Sequence, residues 1–232
     1  AIPLHGAHPQ KIVTPDEYML GANYFMGNKR GSSVLVLHDC AHDSSSYSSL
    51  GTKLAENKLN ALALDFRGYG KSSSALFSHQ MIKKNAKDIV AYQNEAAALK
   101  AYWDTDTLTA FNYLRKKVDN KKGISVVAVG CAAGFAVALA EKVRITAMVF
   151  ITPDMSYGDK ERYKNLLDTP TYFINSSHHI ETYNTSKELF DWSGSKQSKM
   201  QVFKNDDYDY ALLRKNHYLL DDISAWLSEI RN

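Results

Sequence analysis

The chain has 232 residues, 44% hydrophobic and 23% charged, the proportions of a folded globular domain rather than of a disordered segment. Its 28 basic and 25 acidic side chains leave a formal charge of +3, too small an excess to suggest nucleic acid or an anionic membrane as a partner. The longest apolar runs, around residues 132–140 and 147–151, fall far short of the roughly 20 residues of a membrane span, so no integral membrane segment is expected. No repeat or linker divides the chain, and residues 1–232 read as one domain. It begins at Ala1 rather than Met, which a cleaved export signal and a trimmed terminus explain equally.

In chain order, strand-length and helix-length segments alternate. Residues 17–25 read as a strand closed by a turn at Gly27-Asn28. Residues 33–38 (SVLVLH) form a continuous apolar run, the mark of a strand buried on both faces. Residues 47–56 have helical spacing through Leu50 and Leu54, and residues 60–66 (NALALDF) read as the next buried strand. The stretch 73–103 reads as a helical insertion near the strand ends, with partial periodicity over 79–92 and Lys83, Lys84 and Lys87 between the apolar positions. Residues 106–117 are helical, residues 124–129 (ISVVAV) a strand, and residues 132–142 a helix of small side chains. Strands at 147–152, 171–175 and 200–203 follow, with helices at 185–191 and 218–230. The rhythm predicts an α/β protein with a mostly parallel, twisted sheet of about seven or eight strands, helices on both faces, and ligands at the carboxyl ends of the strands.

Four segments then carry a resemblance. Residues 34–40 (VLVLHDC) resemble a strand ending in His-Gly-X, and residues 64–72 (LDFRGYGKS) a D-x-R-G-x-G-x-S turn. Residues 129–134 (VGCAAG) have the spacing of G-x-S-x-G, and residues 208–213 (YDYALL) before the helix at 222–227 resemble an H-G-x-x-L-L tail. Together they are similar to the α/β-hydrolase family over nearly the whole chain. Only residues 153–170 separate the two strands between which many relatives insert a lid, so no large lid is expected.

The resemblance implies a nucleophile on a sharp strand-to-helix bend, and the alignment puts Ala132 there, with no atom able to attack a carbonyl. Cys131 is a nucleophile in principle but stands one position early. The tail places Tyr208 where the histidine base belongs, and a phenol titrating near 10 cannot do that work at neutral pH. The acid position falls on His179, beside His178, and Asp154 is the alternative one strand earlier. The oxyanion-loop and pocket positions are His38, Asp39, Cys40 and Ala133, with the carboxylate of Asp39 of the wrong sign to stabilise an oxyanion. The four departures predict a degenerate triad: a pseudoenzyme without cofactor, binding or scaffolding through a small apolar ligand or a protein partner.

Two alternatives stand beside it. A weak or atypical hydrolase could use a site rearranged from Cys131, His38, His42 or His178, and a metal-binding protein could use the clustered histidines and carboxylates. Loop-packing or solvated histidines are the bland reading of the same cluster. Gly68-Tyr-Gly70 reads as a turn, and residues 205–210 (NDDYDY) as a solvated acidic loop. Finally, the resemblance sets the strand ending at His38 beside the one ending at Val129. Cys40 and Cys131 then emerge from neighbouring strands, within reach of a disulfide if their loops converge. Such a bond would accord with a secreted or periplasmic protein.

Overall fold

A computed structural model describes residues 4–166 and 168–230, apart from the side chain of residue 120. Ala1 lies outside the described residues. Eight strands form one sheet: β1 (Ala7–Val13), β2 (Met19–Phe25), β3 (Ser33–Leu37), β4 (Asn60–Leu64), β5 (Ile124–Val129), β6 (Met148–Ile151), β7 (Thr171–Ser176) and β8 (Lys199–Phe203). Their spatial order is β1-β2-β4-β3-β5-β6-β7-β8. β2 runs antiparallel to both β1 and β4, and every pairing from β4 to β8 is parallel.

Because strand side chains alternate, each central strand feeds two apolar layers. Leu35, Leu37, Val126, Ala128, Phe150 and Phe173 face one layer. It is closed by helices α4 (Trp103–Lys117), α5 (Ala133–Lys142), α6 (Tyr157–Tyr163) and α7 (Ile180–Trp192). Val34, Val36, Val127, Val149 and Ile174 face the other, closed by α1 (Ser48–Glu56), α8 (Tyr210–Lys215) and α9 (Tyr218–Glu229). The continuous apolar runs of the sequence are therefore strands covered on both sides.

The structure departs from the sequence reading at the margins. β1 lies outside the strands expected, because its first five residues carry little apolar signal and include Pro9, which an edge strand tolerates. The segment 79–92 is not one helix but two, α2 (His79–Asn85) and α3 (Ile89–Lys100). Asp88 separates them by accepting the Ala91 N–H and so capping α3. α7 starts at Ile180, five residues earlier than expected, since its buried face is built from Thr182, Thr185 and Ser186 before Leu189 and carries little apolar signal. Between β6 and β7 the described chain makes only α6, seven residues long.

The turn after β4 is fixed by its own side chains. Asp65 accepts the N–H groups of Ser44 and Lys71 at 2.8 and 3.0 Å. Ser72 accepts the Gly21 N–H at 2.8 Å and donates to the Asp65 carbonyl at 2.6 Å. Arg67 is 1% exposed. It is clamped by Asp16 at 2.7 Å and Asp106 at 2.9 Å and lies over the rings of Tyr18 and Tyr102. Hydrogen bonding to Arg67 holds Asp16 well below the usual carboxylate range, whereas burial pushes Asp106 up to about 6.

Candidate functional site

The loops following β3, β5, β6, β7 and β8 meet at the carboxyl edge of the sheet. At the end of β5 the backbone turns left-handed at Gly130 (φ +56°), passes through a single 3-10 turn and enters α5. Ala132 is not the apex of this bend: it closes the 3-10 turn with φ −74° and ψ −16° and is wholly buried. The expected apex is thus two residues too late. The spacing treats Gly130 and Gly134 as flanking glycines, but the strand ends at Val129 and the first residue beyond it must take the positive φ, which only glycine adopts without cost. Gly134 serves a different purpose, since a Cβ there would lie 2.4 Å from Asp159 of α6. Ala133 is buried and its N–H is spent on the Gly130 carbonyl, so it offers no donor to a ligand.

Cys40 and Cys131 are joined in a disulfide, with their Cα atoms 6.0 Å apart. The bond clasps the loop after β3 to the turn after β5 and leaves no free thiol among the described residues. Asp39, beside Cys40, is fully buried. Its carboxylate accepts the Ala41 N–H at 2.8 Å, the Tyr47 hydroxyl, and the Nδ1 of His42 at 2.9 Å. His38 is also buried, with both ring nitrogens used: Nδ1 donates to the Asp39 carbonyl at 2.7 Å and Nε2 accepts the Phe66 N–H at 3.0 Å. Burial lowers its pKa, and this neutral ring is structural.

The side chain reaching the bend belongs to Asp209, one residue beyond the expected Tyr208. A Cβ added to Gly130 would lie 2.5 Å from Asp209 Oδ1. Thr152, at the end of β6, donates its hydroxyl to that carboxylate at 2.8 Å and accepts the Asp209 N–H at 2.8 Å. Both Thr152 (φ +41°) and Asp209 (φ +55°) hold left-handed backbone, a conformation that non-glycine residues keep only when their surroundings impose it. Burial first, and then the charges of Asp39 and Asp154, push Asp209 up to about 6. Asp209 lies within the tail segment 208–213 and Thr152 at the end of an expected strand, but the motifs give neither a role; the available signal is that Gly130 is the first residue after the strand.

Around this point opens a cleft of about 260 Å³ walled by Cys131, Asp154, His179, Glu181, Tyr208 and Asp209. Tyr208 is half exposed and stacks on the His179 ring at 4.6 Å, while His179 Nδ1 is 2.6 Å from the Thr182 hydroxyl. His178 and Asp154 are exposed. The structure therefore brings Cys40, Cys131, Asp154, His179 and Tyr208 to one cleft and keeps His38, His42 and His178 out of it. Among the described residues no three His, Cys, Asp or Glu side chains converge as metal ligands. The histidine cluster does not assemble, because His38 faces inward, His178 faces solvent and His179 stacks on an aromatic ring.

The sequence matches no protein-family model, and no curated protein matches it significantly. Solved structures do match, over nearly the whole chain. An esterase of Pyrococcus furiosus superposes with a TM-score of 0.71 at 15% identity, covering 99% of this chain and 93% of that one. Dienelactone hydrolase from Anabaena variabilis gives 0.64 at 13% identity, over 97% and 95%. An esterase from Exiguobacterium antarcticum gives 0.65 at 9% identity, over 95% and 99%. The chain has the α/β-hydrolase fold.

Proposed function

We propose that this protein is a non-catalytic α/β-hydrolase-fold protein that acts by binding. The observation that carries this reading is Gly130. It stands on the strand-to-helix bend where this fold presents its nucleophile, it has no side chain, and Asp209 occupies the space a nucleophile's Cβ would need. The disulfide removes Cys131 as a displaced nucleophile. It also supports an exported protein, since thiols stay reduced in the cytosol. Three carboxylates in the cleft wall, Asp154, Glu181 and Asp209, favour a polar surface of a protein partner over a small apolar ligand.

The test is turnover of an activated short-chain ester such as p-nitrophenyl acetate, against a heat-denatured control. No saturable turnover is expected, and saturable turnover overturns the reading. One observation favours a second reading, an atypical hydrolase. Buried Asp39 orients His42 through Nδ1, and His42 lines an adjoining cleft of about 310 Å³ that shares the walls Tyr208 and Asp209 with the first and also takes in Tyr210 and Arg214. Carboxylate-held imidazole is the base half of a hydrolytic site. If turnover is found, His42→Ala abolishes it under this second reading and leaves it intact otherwise.

A further inference from the structure

At the other end of the sheet lies a cavity of about 380 Å³ that the cleft does not touch. It opens at the amino end of β5, beside Gly123 and Ile124, and below the entry to β6 at Thr146. β5 has six residues, so the two sites are separated by about 20 Å of strand.

Four cations line this cavity: Arg115 from the last turn of α4, Lys121 from the following loop, Lys142 from the end of α5, and Arg144 just beyond it. Among the described residues no carboxylate lines it and none of the four forms an ion pair; Arg115 donates to the Asn112 amide oxygen at 3.1 Å and its guanidinium lies over the Phe111 ring at 5.8 Å. Neither of the carboxylates nearest in sequence pairs with these four side chains. Asp119 accepts the Lys121 backbone N–H at 3.1 Å, and Glu141 pairs with Arg162 at 3.5 Å. The cavity floor is apolar, formed by Phe111, Ile124 and Val143, and Thr146 adds a hydroxyl.

Four like charges set around one concavity repel each other, and no ion pair among the described residues neutralises them. Two of them are guanidinium groups, whose planar forks match phosphate oxygens in pairs, and two are ammonium groups that act as point charges. We propose that this cavity is a binding site for a compact, multiply charged anion of the diphosphate class, free or borne on a larger organic molecule. A single phosphate has oxygens enough for one fork, whereas a diphosphate has enough to pair with two forks and two ammonium groups. The inference stands on this cavity alone and is independent of the proposed function of the cleft.

Isothermal titration of the intact chain with inorganic pyrophosphate tests it, at an ionic strength of about 0.15 M, where distant charges are screened. Saturable binding is expected, at least about tenfold tighter than that of orthophosphate. Arg115→Ala with Arg144→Ala should weaken it at least about tenfold, while Lys83→Ala with Lys84→Ala, cations of α2 outside the cavity, should change it less than about twofold. A nucleoside diphosphate forms the second arm. Tighter binding than pyrophosphate assigns the ligand to a larger molecule lying along Phe111 and Val143, and equal or weaker binding assigns it to the free anion. No saturation by either probe below about 1 mM overturns the proposal. So does orthophosphate binding as tightly as pyrophosphate, or equal weakening by the two double variants, which would mark a diffuse field.

Discussion

Gly130 and Asp209 are an interlocked pair: the absence of a Cβ on one makes room for the carboxylate of the other. That carboxylate is held where it ionises reluctantly, with a pKa near 6 against 3.8 unperturbed. A carboxyl whose pKa is raised by folding binds its proton more tightly in the folded state. Its contribution is therefore favourable at low pH and is lost as pH rises from about 4 to about 6. Asp209→Asn keeps an oxygen for the Thr152 hydroxyl, tolerates the left-handed backbone and never ionises. Urea unfolding should show the variant more stable than the parent by about 1–2 kcal/mol at pH 7, allowing for partial solvation, and by little at pH 4. A difference that does not change with pH would disprove the assignment. At this scale the sequence was legible where chemistry is missing and less so where geometry decides. Ala132 and Tyr208 were singled out by motif spacing, but the spacing cannot tell which glycine carries the positive φ, and the pair that meets is Gly130 and Asp209.

The elements themselves were largely readable, since buried parallel strands write themselves as unbroken apolar runs and β3 to β7 need no other signal. What stayed hidden were segments with little apolar signal: the edge strand β1, and the first turn of α7 with its inner row of hydroxyls. The turn after β4 illustrates a motif with a structural meaning. Arg67 ties it to the loop before β2 through Asp16 and to α4 through Asp106, and its carbonyl accepts the Trp103 indole N–H at 3.1 Å. Asp106 is completely buried, so removing its partner strands a charge. Arg67→Ala should lower the unfolding free energy by about 3–5 kcal/mol, measured by urea denaturation. A loss under about 1 kcal/mol, the range of an exposed pair, would show that the clamp contributes little.

For the molecule as a whole, the net charge of +3 conceals a segregation. Carboxylates gather at the carboxyl edge of the sheet around Asp39, Asp154, Glu181 and Asp209, and unpaired cations gather at the opposite end around Arg115 and Arg144. A sum over the chain is blind to this, and only the fold reveals it. The Cys40–Cys131 bond likewise acts at the largest scale, because it spans 91 residues. Closing a loop of that length restricts the unfolded chain and should stabilise the folded one by about 4–5 kcal/mol in the chain-entropy account. Comparing the intact protein with Cys40→Ser, Cys131→Ser in urea measures it, and equal midpoints would show that the clasp adds no stability.

The same clasp governs how the chain can be hauled apart. An unfolding machine that draws in either terminus and pulls single file meets the closed ring at Cys40 or at Cys131. While the bond stands, the loop between them, a sequence separation of 91 or about 300 Å of extended chain, cannot be paid out. The rope shortens by that length, and the central strands β4 and β5 must enter any narrow channel as a doubled loop or not at all.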